Sequence, residues 1–223
     1  MKYICQHLGI GDHLICNGLV RTIYNPNEEY TMFVKEKYLD SVSFMFRDLK
    51  NFSFITGEAE NNISFLQRNH ISREDIIYAG FNWIDMERYS FDENFYLQNN
   101  VDFNNKWSNF YVERDEQREN RLFDHFDIQE PYVFIHEDDQ RGFSIDRNLL
   151  PDVRVIKADN NLTNNIFDYL KIMENAEQIH CIESSFLHLA DLTSINDNII
   201  FHSYSRQHPG NFFQPKYKNV KFI

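Results

Sequence analysis

Short apolar runs alternate with helix-like segments along most of this chain, and this alternation restricts its fold more than any other feature. In the first half, each strand-like run is followed by a segment with apolar residues at helical spacing. Alternation at this spacing is typical of βαβ units, which build parallel sheets. We predict strands at residues 2–7, 30–35, 52–56 and 75–79, and helices at residues 12–24, 38–49 and 61–68.

The same alternation resumes after Pro131, with strands predicted at 132–136, 153–157, 178–182, 198–202 and 220–223 and helices at 165–175 and 184–192. Between the halves, residues 81–125 are rich in aromatic residues and predict irregular helices that cover one side of the first sheet. We therefore predict an α/β protein with two Rossmann-like parallel-sheet domains, residues 1–125 and 126–223, facing across a cleft. A single doubly wound sheet is the alternative.

The composition excludes several classes of protein. The net charge is −12 and the pI about 5.1, whereas nucleic-acid binding usually leaves a basic footprint. No stretch approaches the roughly 20 apolar residues that a membrane span needs, and we see no signal-peptide pattern. Cys5, Cys16 and Cys181 lie far apart in apolar runs, which predicts reduced, largely buried thiols in a cytoplasmic protein.

The segment Gly9-Ile10-Gly11-Asp12 follows the first predicted strand and opens the first helix. Glycines at such a junction let the backbone turn tightly and approach a ligand, while the helix N-terminus presents free N–H groups. A dinucleotide site would require a third glycine where Leu14 stands, so a nicotinamide or flavin site is disfavoured. Asp12 is either a helix cap or a residue of a ligand cleft, and the preceding glycines favour the cleft.

A second junction, Glu183-Ser184-Ser185, joins a late strand to a helix that contains His188. In open α/β sheets, ligands bind beyond the carboxyl ends of the strands, so both serine hydroxyls are candidates for holding a diphosphate. The alternative is that a serine only caps the helix. His188 is equally consistent with a ligand contact and with a position facing solvent or the core.

A third candidate region is the polar loop at residues 136–141. Arg141 is of a type that binds phosphate with both arms of its guanidinium group, although a solvated surface arginine is commoner. Arg206 and His208 follow the predicted strand at 198–202 and are weaker candidates for the same role.

Other kinds of catalytic site lack their required spacing. No pair among His7, His13, Glu137 and Asp138 matches a recognised metal site, so no metal is expected. Ser184 lacks the flanking glycines of a nucleophile elbow, and no Walker loop is present.

Two of these motifs resemble those of the ADP-heptose:lipopolysaccharide heptosyltransferase-like glycosyltransferases: the Gly-x-Gly-Asp loop at residues 9–12, and the acid-hydroxyl-small-x-x-His-Leu segment at residues 183–189. The resemblance implies a GT-B fold, with two Rossmann-like domains and the active site in the cleft between them. It also implies transfer of a sugar from a nucleotide-diphosphate donor, with inversion and without a bound metal or other cofactor.

Carried onto this sequence, the resemblance makes Asp12 the general base on the acceptor hydroxyl. We also expect Gly9 and His13 on the acceptor side. The donor would be held by Gly11, His136, Arg141, Glu183, Ser184, Ser185, His188 and Arg206. The sequence departs from the family where Glu183 replaces the usual Asp and Ser185 the usual Gly. The chain is also shorter than typical members, and no C-terminal helix long enough to return to the first domain is evident.

The resulting hypothesis is a glycosyltransferase that acts on a nucleotide-diphosphate sugar and a glycan or lipid-linked glycan acceptor, as in polysaccharide biosynthesis. Trp83 and Trp107 would be available to stack on sugar rings, although core packing is the commoner role for such residues. Two alternatives remain: a non-catalytic nucleotide-sugar-binding protein, and a nucleotide-sugar epimerase of the same fold.

Overall fold

The chain forms two compact units. The computed structural model describes residues 1–57, 59–80, 88–206 and 215–223. The first unit contains Met1–Glu113 and Pro209–Lys216, and the second contains Arg114–His208 and Tyr217–Ile223. Each unit is built around a parallel sheet, so the predicted α/β class with two parallel sheets is confirmed.

The first unit has a four-stranded parallel sheet in the order β3-β2-β1-β4. Its strands are β1 Lys2–Cys5, β2 Tyr30–Val34, β3 Phe52–Thr56 and β4 Ile76–Tyr78. Its first helices are α1 Ile10–Ile23, α2 Leu39–Met45 and α3 Ala59–Arg68, with 3-10 helices at Glu36–Tyr38 and Arg73–Asp75. All five residues of β2 are buried, as expected for a strand covered on both faces.

The aromatic stretch supplies α4 Phe91–Leu97 and α5 Asn105–Ser108, which pack against α1. The Tyr96 hydroxyl donates to the carbonyl of Ile15 at 2.7 Å and accepts from the amide of Leu19 at 3.2 Å. Gly18 faces α5 so closely that a Cβ atom there would lie 2.0 Å from the carbonyl oxygen of Asn105. Phe95 and Tyr96 therefore belong to the hydrophobic core around α1.

The second unit has a five-stranded parallel sheet in the order β6-β5-β7-β8-β9. Its strands are β5 Tyr132–His136, β6 Arg154–Lys157, β7 Gln178–Cys181, β8 Ile199–Phe201 and β9 Val220–Phe222. Its helices are α6 Glu116–His125, α7 Leu170–Glu174 and α8 Ser185–Thr193, with 3-10 helices at Asp139–Arg141, Arg147–Leu149 and Ile166–Tyr169.

Helix α6 belongs to the second unit, whereas the sequence placed it in the insert of the first domain. Its Arg118 forms a bidentate ion pair with Asp168, with N···O distances of 2.8 and 2.9 Å. Asp168 lies on the 3-10 helix that precedes α7. Glu119 of the same helix is 2% exposed and is bound by Arg114. The boundary therefore falls after Glu113, where the sequence suggested residue 125.

The three cysteines are buried and free, as predicted. Among the helices of the described residues, none is both long and apolar enough to cross a membrane.

Candidate functional site

Each sheet has a topological switch point beside its first strand, where the strand order reverses. Most candidate residues lie in the loops that follow the strands at these two points. In the first unit the change lies between β1 and β4, and in the second between β5 and β7. Ligands of open parallel sheets bind beyond the carboxyl ends of the strands at such points. The segments concerned are 6–12 and 79–80 in the first unit, and 136–143 and 182–185 in the second.

The β1–α1 loop of the first unit has an unusual backbone. Leu8 is fully buried with a φ of 66°, a left-handed conformation that costs a non-glycine residue about 1–2 kcal/mol. Gly9 then caps α1, and its amide donates to the Asp12 carboxylate at 3.0 Å. A Cβ atom at Gly9 would lie 2.5 Å from Oδ2 of Asp12, so glycine is required for this carboxylate to fold back. Non-glycine strain of this kind concentrates at functional sites.

The environment of Asp12 shifts its carboxyl group toward the protonated form. Burial raises its pKa, and the nearby His7 and the amide of Gly9 oppose that change in part. The His7 ring is held in place by a 2.7 Å hydrogen bond between Nε2 and the carbonyl of Gly80, beyond the end of β4. A carboxylate with a raised pKa is a stronger base than an exposed one, which suits general base catalysis.

His13 lies in the core of the first unit, away from any accessible surface. It is 0% exposed, and its Nδ1 pairs with the side-chain nitrogen of Gln6. Burial lowers the pKa of His13 to about 3, so the ring is neutral at pH 7. This placement gives the acceptor-side role expected of His13 no support. Gly11 is a half-buried residue in the first turn of α1, and Gly9 keeps its place at the junction.

In the second unit, Glu137 directly follows β5 and organises the loops around it. Its buried carboxylate accepts a hydrogen bond from the amide of Ile145 at 2.9 Å and pairs with Arg147 and Lys157. Burial would raise the pKa of Glu137, but these partners outweigh it and hold the pKa below its usual range. From the sequence, Glu137 is a candidate only for metal binding, and no local pattern predicts these ion pairs.

Arg141 is exposed and forms an ion pair with Asp138 within its own loop. Its guanidinium lies 2.5 Å from the Asp138 carboxylate, which accordingly has a lowered pKa. Gly142 closes the turn with a φ of 78°. To bind a phosphate, Arg141 would have to share or exchange this partner.

The β7–α8 junction carries the two predicted serines in different roles. Ser184 is the N-cap of α8, and its hydroxyl accepts from the amide of Leu187 at 3.4 Å. Ser185 is the first residue of the helix and is partly exposed. The capping interpretation therefore fits Ser184, while the Ser185 hydroxyl stands at a helix N-terminus where anions are favoured.

Arg206 links the segments that follow three strands of the second unit. Its Nη1 donates to the carbonyl of Glu183 at 3.0 Å, and its guanidinium lies 5.8 Å from the centre of the Phe143 ring. Glu183, Arg206 and the loop around Phe143 are thus brought together. The donor-binding role expected of Glu183 and Arg206 stays a prediction.

His136 and His188 lie deeper than the serines. The His136 ring lies 4.6 Å from the ring of Phe186, and burial lowers its pKa to about 4. Its buried Nδ1 has no hydrogen-bond partner among the described residues. His188 is 5% exposed and stacks on Tyr217 at 5.4 Å, which makes it part of the packing between α8 and the C-terminal segment.

A chain of hydrogen bonds that the sequence did not predict joins the loops after β8 and β5. Nδ1 of His180 lies 2.9 Å from Nε2 of His202, and Nδ1 of His202 lies 2.9 Å from the Tyr204 hydroxyl. That hydroxyl accepts from the amide of Asp146 at 2.9 Å, so the chain fixes one loop against the other. Two histidines 22 residues apart give no pattern from which this contact could be found.

Three candidates from the sequence remain: Trp83, Trp107 and His208. Trp83 and His208 lie outside the described residues. Trp107 is half-buried and packs edge-on against Phe103 at 5.2 Å, which is a core contact. Within the described parts of the chain, no group of three or more His, Cys, Asp or Glu side chains is arranged to hold a metal ion.

Comparison with known proteins finds a match in structure but none in sequence. No family model matches the sequence, and no curated protein matches it. The structure is similar to that of "the glycosyl transferase family 9 from Veillonella parvula DSM 2008", with a TM-score of 0.63 and 12% sequence identity. The similarity covers 100% of this chain and 85% of that one. At this identity it establishes a shared fold: two Rossmann-like parallel-sheet units of the kind seen in a glycosyltransferase.

Proposed function

We propose that this protein is a glycosyltransferase that moves a sugar from a nucleotide-diphosphate donor to a hydroxyl group of a glycan or other acceptor. The observation that carries the proposal is the β7–α8 junction. There, Ser185 and the N-terminus of α8 lie at the point between β5 and β7 where sheets of this order bind their ligands. The likeness in fold to a glycosyl transferase family 9 protein agrees with the motif resemblance at residues 9–12 and 183–189.

On the donor side, the diphosphate lies against the N-terminus of α8. The Ser185 hydroxyl and the free N–H groups of the first turn donate to its oxygens, and Arg206, beside Glu183, adds a positive charge. Arg141 joins them by exchanging its Asp138 partner for phosphate. These donors act where negative charge develops as the bond to the sugar breaks, so they lower the barrier rather than only binding the substrate.

On the acceptor side, Asp12 takes the proton from the attacking hydroxyl. The acceptor oxygen forms its bond to the anomeric carbon while the bond from that carbon to the diphosphate oxygen breaks, which inverts the configuration. The proton passes to Asp12, and the leaving diphosphate keeps the electron pair. The raised pKa of Asp12 supports this assignment. In this proposal the two units face across a cleft and no metal takes part.

The test is turnover of a panel of UDP-, GDP- and ADP-sugars, followed by release of the nucleoside diphosphate with and without glycan acceptors. We expect release from at least one donor, and a loss on the order of a hundredfold or more in Asp12→Asn. The matched control is Asp40→Asn, an exposed acidic residue in the first turn of α2 in the same unit. Transfer by Asp12→Asn at the wild-type rate would exclude Asp12 as the base.

Two alternatives keep the same donor site and give different results. A nucleotide-sugar-binding protein would bind a nucleoside diphosphate by calorimetry without turnover of any donor. An epimerase would convert the donor to its epimer with no acceptor present. The raised pKa of Asp12 favours catalysis over binding alone, because a base tuned for proton transfer has no role in binding a nucleotide sugar.

A further inference from the structure

A cavity of about 330 Å³ lies beside α6 in the second unit, and none of the residues proposed for the donor lines it. Four of its lining residues come from α6: Arg118, Arg121, Leu122 and His125. Their spacing of three and four residues places them on one face of the helix. Thr163 and Asp168 line the cavity from the segment that leads into α7.

One wall of the cavity is close to electrically neutral. Arg118 donates to both carboxylate oxygens of Asp168, and Asp168 also accepts from the Thr163 hydroxyl at 2.5 Å. Asp168 is 5% exposed, so this cluster is largely buried. The Asp168 charge is therefore matched by that of Arg118.

Arg121 adds a charge to the cavity that the protein does not neutralise. Within the described parts of the chain it makes no hydrogen bond or ion pair, although the protein carries a net charge of −12. It is exposed, and His125 next to it is also exposed. The cavity therefore has an unmatched guanidinium and an imidazole on one side, and the apolar side chains of Leu122 and Leu162 on its surface.

We propose that this cavity binds a small organic anion through a phosphate or carboxylate group. Arg121 holds the anionic group with its paired N–H donors, His125 adds a hydrogen bond, and Leu122 and Leu162 contact the organic body. The volume is at the lower end of the 300–1,000 Å³ typical of ligand pockets, which suits a sugar phosphate or a tricarboxylate better than a nucleotide sugar. This site is separate from the proposed donor site.

The experiment is isothermal titration calorimetry of the full chain at low salt with glucose 1-phosphate, citrate and inorganic phosphate, in the absence of nucleotide. We expect one-site binding of at least one of the two organic anions, tighter than that of inorganic phosphate. Arg121→Gln should weaken it on the order of tenfold, because one charge-assisted bidentate contact is lost. His125→Gln should weaken it less.

The control is Arg68→Gln, which removes an exposed arginine from the end of α3 in the first unit and so makes the same change in net charge. Arg68→Gln should leave the affinity unchanged. The proposal would be overturned if neither organic anion bound at millimolar concentration. It would also be overturned if Arg121→Gln and Arg68→Gln weakened the affinity equally. Because the assay contains no donor, its outcome is independent of whether the protein transfers sugars.

Discussion

A buried ion pair in the first unit gives the strongest stability prediction. Nζ of Lys106 lies 2.7 Å from Oδ2 of Asp92, and both side chains are 0% exposed. Asp92 also accepts from the Ser90 hydroxyl at 2.6 Å and from the amide of Lys216 at 3.0 Å, while Nζ of Lys106 donates to the carbonyl of Lys216. The pair therefore fixes Lys216 to the rest of the first unit.

Lys106→Met keeps most of the buried aliphatic volume and removes the charge. Asp92 is then buried without an opposing charge, although its hydrogen bonds from Ser90 and Lys216 remain. Breaking a buried pair on one side costs about 3–5 kcal/mol, and the remaining hydrogen bonds place the expected loss near 3 kcal/mol. Adding Asp92→Asn removes the unmatched charge, so the double variant should be more stable than Lys106→Met alone.

The assay is urea unfolding followed by tryptophan fluorescence. Trp107 belongs to the first unit and packs against Phe103, so its fluorescence reports on that unit. Lys50→Met, at an exposed position of the same unit, is the control and should change the free energy of unfolding by less than about 0.5 kcal/mol. A cost of under about 1 kcal/mol for Lys106→Met, or a double variant no more stable than the single one, would contradict this prediction.

Further predictions concern packing, pH and the two serines. Gly18→Ala should destabilise the first unit by about 3 kcal/mol in urea titrations, because the added methyl would meet the Asn105 carbonyl and the helices must separate. Burial lowers the pKa of His13 to about 3, so the unfolded chain takes up a proton between pH 6.5 and 3 and stability falls as the pH drops. His13→Gln should remove about 1.4 kcal/mol per pH unit of that dependence below pH 6.5. Ser184→Ala should cost about 1 kcal/mol as a lost helix cap. Ser185→Ala should leave the melting temperature unchanged and raise the KM for the donor.

Features set by local sequence were predictable. The Ser184 cap and the start of α8 at Ser185 follow from a polar pair that ends an apolar strand and begins a helical pattern. The parallel sheets follow from the alternation of strands and helices. These signals lie within about ten residues of the features they specify, which is why a single sequence reveals them.

Features set by contacts between distant residues were not predictable. Strand β1 ends at Cys5 rather than at residue 7 because the side chains of Gln6 and His7 bond to His13 and Gly80, and Leu8 turns into the left-handed region. The assignment of α6 to the second unit depends on contacts such as that between Arg118 and Asp168, 50 residues apart.

The residues of the candidate site also divide into those with a local sequence signal and those placed by contacts between distant residues. The serines and Arg206 lie where strand ends were expected to place them. The interior position of His13 and the ion pairs of Glu137 depend on how elements pack, and neither has a local signal in the sequence.

The central claim is that the second unit binds the donor diphosphate between the carboxyl ends of β5 and β7. A crystal structure of the protein soaked with UDP, GDP or ADP tests it directly. We expect diphosphate density at the N-terminus of α8, with a phosphate oxygen within about 3 Å of the Ser185 hydroxyl. A diphosphate bound elsewhere, with the β7–α8 junction holding only solvent, would contradict it.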